Sequence, residues 1–165
     1  MTDKVHEAVV PRLGKLQQHT ADNPYLSAGT PFKSDWFNAA GLADPDSLPP
    51  LVLAYLGDAV YELFVRAGLV ARGFTRVGPL HQEAIKLVRA TCQARFLHEI
   101  EETLTPEEIR VMKRGRNAKS GHVPRSTEAV EYRWSTGFES LIGYLYLKQR
   151  FGRLEEILAQ LPWPE

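Results

Sequence analysis

The sequence predicts an all-α domain, and three observations carry that expectation. From about residue 50 to the C-terminus, apolar residues recur at spacings of three and four. No segment shows the strict apolar–polar alternation of a half-buried strand. Helix-start chemistry also recurs: Ser47-Leu48-Pro49-Pro50, Thr105-Pro106-Glu107-Glu108 and Ser126-Thr127 stand where helical patterns begin. At 165 residues and 44% hydrophobic, the chain suits one compact domain with a genuine core.

Taken in order, residues 1–33 form an N-terminal extension, partly flexible, and the main domain is expected over 34–165. "VHEAVVPRLGKLQQH" offers a short helix interrupted near Pro11, and "NPYLSAGTPFKSD" is turn chemistry. The first long helix is expected from 50 to 72, closed near Gly73, with Leu53, Leu56, Val60 and Leu63 as its packed stripe. Helices over 76–90 and 91–102 follow. Thr105 caps the next, with Pro106 and two acids in its first turn, running to about Arg114. After the loop "GRNAKSGHVPRS", Ser126 or Thr127 caps a helix to about Arg150, packed through Phe138, Leu141, Ile142 and Leu145. Gly152 then separates a last amphipathic helix, "LEEILAQL".

Bulk composition excludes several classes. The single cysteine, Cys92, forbids an intramolecular disulfide, and its helical context points to packing. No apolar run is long enough to span a bilayer, and the N-terminus lacks a signal peptide's apolar region. A cytoplasmic protein without a membrane partner is expected. Lys plus Arg and Asp plus Glu each total 20, so the chain is neutral. Neutrality does not exclude nucleic acid, because recognition depends on where the charge lies.

Three features carry possible chemistry. Gly57-Asp58 interrupts the first long helix, where glycine costs about 1 kcal/mol relative to alanine. Asp58 falls beside the predicted stripe, on the side of Ala54, Tyr61, Glu62 and Val65. A solvated acid is one reading; Gly57 favours another, in which a second helix or a ligand approaches the backbone. Glu139 repeats the arrangement, with Gly143 four residues on and so on the same face. If the glycine faces cross, Asp58 and Glu139 converge, and two carboxylates with water suit Mg²⁺. The third feature is "RVMKRGRNAKSGHVPR", six cations and no acid in an otherwise neutral chain. Lys113, Arg114, Arg116, Asn117, Lys119, Ser120 and Arg125 are its candidate phosphate-binding residues, extended by Lys86 and Arg89. Solvated faces are the ordinary reading of such runs. Trp134 fits either a nucleic-acid contact or the core, and His81 and His98 lack metal-ligand spacing.

"LAYLGDAVYELFVR", "STGFESLIGYLYL" and the intervening basic loop resemble the ribonuclease III catalytic domain, over about residues 48–160. Within that family the pattern resembles the Mini form, which has no separate double-stranded-RNA-binding domain. The resemblance implies a ribonuclease III-like helical endonuclease over 34–165. It implies a homodimer that cleaves double-stranded RNA with Mg²⁺, Mn²⁺ being a substitute, and leaves 5′-phosphomonoesters. The implied substrate is precursor ribosomal RNA of the large (23S) subunit. The family's aspartate and glutamate fall on Asp58 and Glu139, implied as catalytic metal ligands. Two further carboxylates of full-length ribonuclease III fall on Ala54 and Thr136, a departure the Mini form shares. Glu62, one turn past Asp58, has no assigned role in the family. Two alternatives stand beside this reading: a non-catalytic RNA-binding scaffold, and a helical protein-interaction module.

Overall fold

The computed structural model describes residues 44–119 and 128–164, all within one compact unit. The expected extension over 1–33, the boundary at residue 34 and the Ser126/Thr127 cap lie outside the described residues. Among the described residues six α-helices follow in order: α1 Pro50–Ala71, α2 Val77–Val88, α3 Ala90–Ile100, α4 Pro106–Arg116, α5 Glu128–Leu147 and α6 Phe151–Leu158. A 3₁₀ turn, Glu101–Thr103, joins α3 to α4, and no strand occurs among the described residues. The all-α expectation holds.

Local chemistry sets most boundaries. Pro50 opens α1 in the first turn, where a missing N–H is harmless. Gly73, at φ +92°, closes it. The Phe74 N–H donates to the Leu69 carbonyl and the Gly73 N–H to the Val70 carbonyl, a Schellman closure. In α4, Thr105 and Glu108 make a reciprocal capping box, and the helix runs two residues beyond the expected Arg114. The end of α5 differs from expectation. It stops at Leu147, with Gln149 at φ 56° and the Arg150 N–H donating to the Leu145 carbonyl. Gly152 therefore lies inside α6 and separates nothing. The turn instead falls between Lys148, paired with Asp44 and Asp46, and Arg150, paired with Glu107.

α5 is the central helix, buried on almost every side from Ser135 to Leu145. Its stripe of Phe138, Leu141, Ile142 and Leu145 is completely buried, as expected. The predicted stripe of α1 is corrected. Only Leu53 of it is buried; Leu56 and Val60 are half-buried, and Leu63 is 51% exposed. The inward face is Ala54, Gly57, Tyr61, Val65 and Leu69. Volume decides the rotation: α1 and α5 approach so closely that only small residues fit between their axes. A Cβ on Gly57 would collide with the Glu139 carbonyl oxygen and come within 2.7 Å of the Gly143 nitrogen. A Cβ on Gly143 would collide with the Leu53 carbonyl oxygen and come within 3.0 Å of the Gly57 nitrogen. α4 meets α5 by the same means, with Gly115 against Ser140 and the Thr136 carbonyl.

Gly57→Ala and Gly143→Ala should each lower stability by about 2 kcal/mol or more, since only backbone movement relieves the overlap. Gly152→Ala meets nothing within 4 Å and should be neutral or stabilising. Thermal melts of the three variants check this contrast.

Candidate active site

The glycine crossing fixes the site. Asp58 follows Gly57 directly on α1 and is exposed; Glu139 is half-buried on α5, and its own carbonyl lies against Gly57. The two carboxylates are near enough to repel. Burial, then Asp58, push the Glu139 carboxyl up to about 8, against an opposing hydrogen bond from the Gln93 side chain. Burial also raises Asp58, helped by Glu62 and opposed by Arg66. Glu62 is held by Arg66, Oε2 to Nη1 at 2.6 Å.

Tyr61 and Phe138, both completely buried, pack edge to face at 5.0 Å in the core. The Tyr61 hydroxyl donates to the Leu87 carbonyl at 3.1 Å, fastening α1 to the end of α2. Gln93 Nε2 donates to the Val88 carbonyl at 3.0 Å from the other side. These bonds hold the α2–α3 junction at Arg89, whose extended backbone (ψ 146°) breaks the two helices apart. Gln93 was missed by motif reading, but its signal exists. It falls in register with Phe96, Leu97 and Ile100, a polar side chain on an apolar stripe.

The donors suit a hard divalent cation. Both carboxylates offer oxygen. No group of three or more His, Cys, Asp or Glu side chains gathers as a metal cluster among the described residues. Two carboxylates completed by water is an ordinary Mg²⁺ ligand set. Ala54 and Thr136 add nothing to it: Ala54 is buried, and Thr136 Oγ1 donates to the Tyr132 carbonyl at 2.9 Å.

The basic run is placed unevenly. Arg114 donates to the Asp46 carbonyl at 3.2 Å and the Leu48 carbonyl at 2.8 Å, clamping the entry to α1. Arg116 lies over the Trp134 ring at 4.6 Å, with its Nε 3.3 Å from Asn117 Oδ1. The His98 ring lies against the same indole at 4.0 Å, tilted by 51°. Lys113, Asn117 and Lys119 are exposed; Ser120 and Arg125 lie outside the described residues. Lys86 pairs with Glu83 at 2.6 Å, and Arg89 is exposed at the α2–α3 junction beside the site. Cys92 is buried, as expected.

This helical scaffold with its carboxylate crossing coincides with a match to the Ribonuclease III domain over residues 51–150, from α1 to just beyond α5. The chain belongs to the ribonuclease III family and is an endoribonuclease. Within that family its similarity is to proteins named Mini-ribonuclease 3. The Symbiobacterium thermophilum protein is 54% identical, covering 71% of this chain and 90% of its own length. The Clostridium tetani protein is 47% identical, covering 70% and 77% respectively. A crystallised Fusobacterium nucleatum protein shares the fold at a TM-score of 0.64 and 30% identity, covering 72% of this chain and 94% of that one.

The raised carboxyls give a pH signature. In metal-free protein the folded chain keeps a proton on Glu139 that the unfolded chain releases near its ordinary value of 4.5. That contribution to stability is complete below the unfolded pKa and is lost as pH rises through about 8. Melts in EDTA should therefore show Tm falling between pH 5 and 8. Glu139→Gln should flatten that slope and raise Tm at pH 8 by about 3 °C or more.

Proposed function

We propose that this chain is a Mg²⁺-dependent endonuclease of double-stranded RNA, working as a homodimer and maturing precursor ribosomal RNA of the large (23S) subunit in the cytoplasm. The observation that carries the metal-nuclease reading is the Asp58–Glu139 pair, brought together by the Gly57–Gly143 crossing and left without a cationic side chain against Glu139 among the described residues. Bound there, a divalent cation supplies charge stabilisation at the scissile phosphate and water of lowered pKa. Asp58 and Glu139 would hold it, Asp58 from the solvent side and Glu139 from the protein side.

The chain's own groups do the rest. Tyr61, Phe138 and Leu53, completely buried, belong to the dry core that holds the two acid-bearing helices together. Lys113, Lys119 and Arg89, all exposed, present cations to phosphates, with Asn117 as a hydrogen-bonding neighbour. Arg116 on Trp134 makes a flat cationic surface suited to a ribose-phosphate strand. Arg114 supports this surface through its clamp on the α1 entry. Selectivity for a duplex comes from A-form shape, read through phosphates and 2′-hydroxyls.

The dimer rests on α1. Val52, Tyr55, Leu63 and Val70 are exposed hydrophobics, Tyr55 at 84%, and their spacing puts them on one face. Such a stripe needs a cover. A second copy supplies one with two-fold symmetry, matching the two strands of a duplex.

Asp58→Asn and Glu139→Gln should each cut labelled duplex RNA in Mg²⁺ at least about 100-fold more slowly, while binding it within a few-fold of wild type. Wild-type binding without cleavage across Mg²⁺ and Mn²⁺ would favour the scaffold reading instead. Tyr55→Asp should shift the chain to monomer by analytical ultracentrifugation; an unchanged mass would remove α1 as the interface.

A further inference from the structure

Between residues 135 and 145 of α5, Glu139 alone is not buried. Two tyrosines flank it on its own face, Tyr132 seven residues before and Tyr146 seven residues after, each two turns away. Tyr146 belongs to the packing, with its ring 5.7 Å from that of Phe151. Tyr132 does not. It is 37% exposed, and its ring meets no other ring among the described residues. The buried phenols commit their hydroxyls to structure, Tyr61 to the Leu87 carbonyl and Tyr144 to Asp46 and Glu107. The Tyr132 hydroxyl has no hydrogen-bond partner among the described residues.

Its backbone, by contrast, is braced. The Tyr132 carbonyl accepts from Ser135 Oγ and from Thr136 Oγ1, both at 2.9 Å. These bonds satisfy two buried hydroxyls and fix the peptide from which the phenol extends. A phosphate is best met by a cation, and exposed Lys113, Lys119 and Arg89 are available for that. A ribose 2′-hydroxyl is neutral and both donates and accepts, which a phenol matches atom for atom. Seven helical residues span about 10 Å, or about three nucleotides at about 3.4 Å of duplex axis each.

We propose that Tyr132 is a substrate-contacting residue, its hydroxyl bonding a ribose 2′-hydroxyl within about three nucleotides of the bond cut beside Asp58 and Glu139. The proposal rests on the duplex-RNA reading above and assigns one side chain to telling RNA from DNA.

The test measures kcat/KM of the full chain in Mg²⁺ on a labelled RNA duplex. The same duplex is then made with one 2′-deoxynucleotide at a time near the cut. Wild type is compared with Tyr132→Phe, which keeps the ring and removes only the hydroxyl. On the all-RNA duplex Tyr132→Phe should lose about three- to tenfold, as for one neutral hydrogen bond. For wild type a single deoxy position should cost the same factor, and at that position Tyr132→Phe should lose nothing further. Mg²⁺ dependence and Tm should stay those of wild type. A loss that is equal on every duplex, deoxy or not, marks a structural role, and a variant as fast as wild type marks no contact. Either overturns the proposal. Wild type that cuts no duplex RNA overturns the nuclease reading beneath it as well. If Tyr132→Phe does not fold, wild type decides the question in EDTA. The ring signals of Tyr132 in ¹H–¹³C spectra should shift on titration with RNA duplex and not with DNA duplex of the same sequence. Equal shifts with both, or none with either, overturn the proposal.

Discussion

The structure depends on one contact, the backbone-to-backbone crossing of α1 and α5 at Gly57 and Gly143. With no side chain between them, the Leu53 and Glu139 carbonyls lie against the opposite helix. The rotation of α1 follows, because its smallest residues must face inward. So does the position of Asp58, one residue past the crossing, and of Glu139, whose own peptide forms half of it. The apolar residues turned outward by that rotation, Tyr55 and Leu63 among them, become a surface that a second chain can cover. Site geometry and the proposed dimer face thus have a common origin.

Burying α5 requires that its polar groups be paired, and most are paired to backbone. Ser140 donates to the Pro50 carbonyl at 2.9 Å, and Ser135 and Thr136 both donate to the Tyr132 carbonyl. The Tyr144 hydroxyl lies between Asp46 and Glu107, which Lys148 and Arg150 neutralise. Burial and both acids push that phenol above the ordinary tyrosine range.

Two glutamates show what a buried carboxylate needs. Burial alone would raise Glu108, but Arg153 and the Thr105 N–H outweigh it and hold its carboxyl below the usual range. The guanidinium Nε stands 2.9 Å from Glu108 Oε1. Glu139 is raised instead, by burial first and then by Asp58, with only the Gln93 amide opposing them and no cation against it among the described residues. The first is a completed structural ion pair; the second is a carboxylate whose charge calls for a cation. Titratable groups perturbed by burial and a like charge cluster at functional sites.

Much of this was legible in the sequence. Helical periodicity, the Pro50 and Thr105 starts and the Gly73 stop are local, and local chemistry fixed them. The glycine–carboxylate pairs suggested a close crossing because glycine in a helix interior needs a reason. The inward face of α1 was not legible, since hydrophobicity favoured Leu56 and Leu63 and only the space beside α5 chose Ala54 and Gly57. The stop of α5 was hidden too, because a glutamine rather than a glycine takes the left-handed turn, held by distant ion pairs with Asp44, Asp46 and Glu107. The basic run read as one surface, but tertiary structure divided it. Arg114 closes the α1 entry and Arg116 lies on Trp134, because partners far away in sequence stand within reach. Sequence by itself determined which segments are helices and which two acids sit beside glycine. Only packing decided which faces meet and which cations remain free for a ligand, since each depends on groups many residues apart competing for the same volume and the same hydrogen bonds.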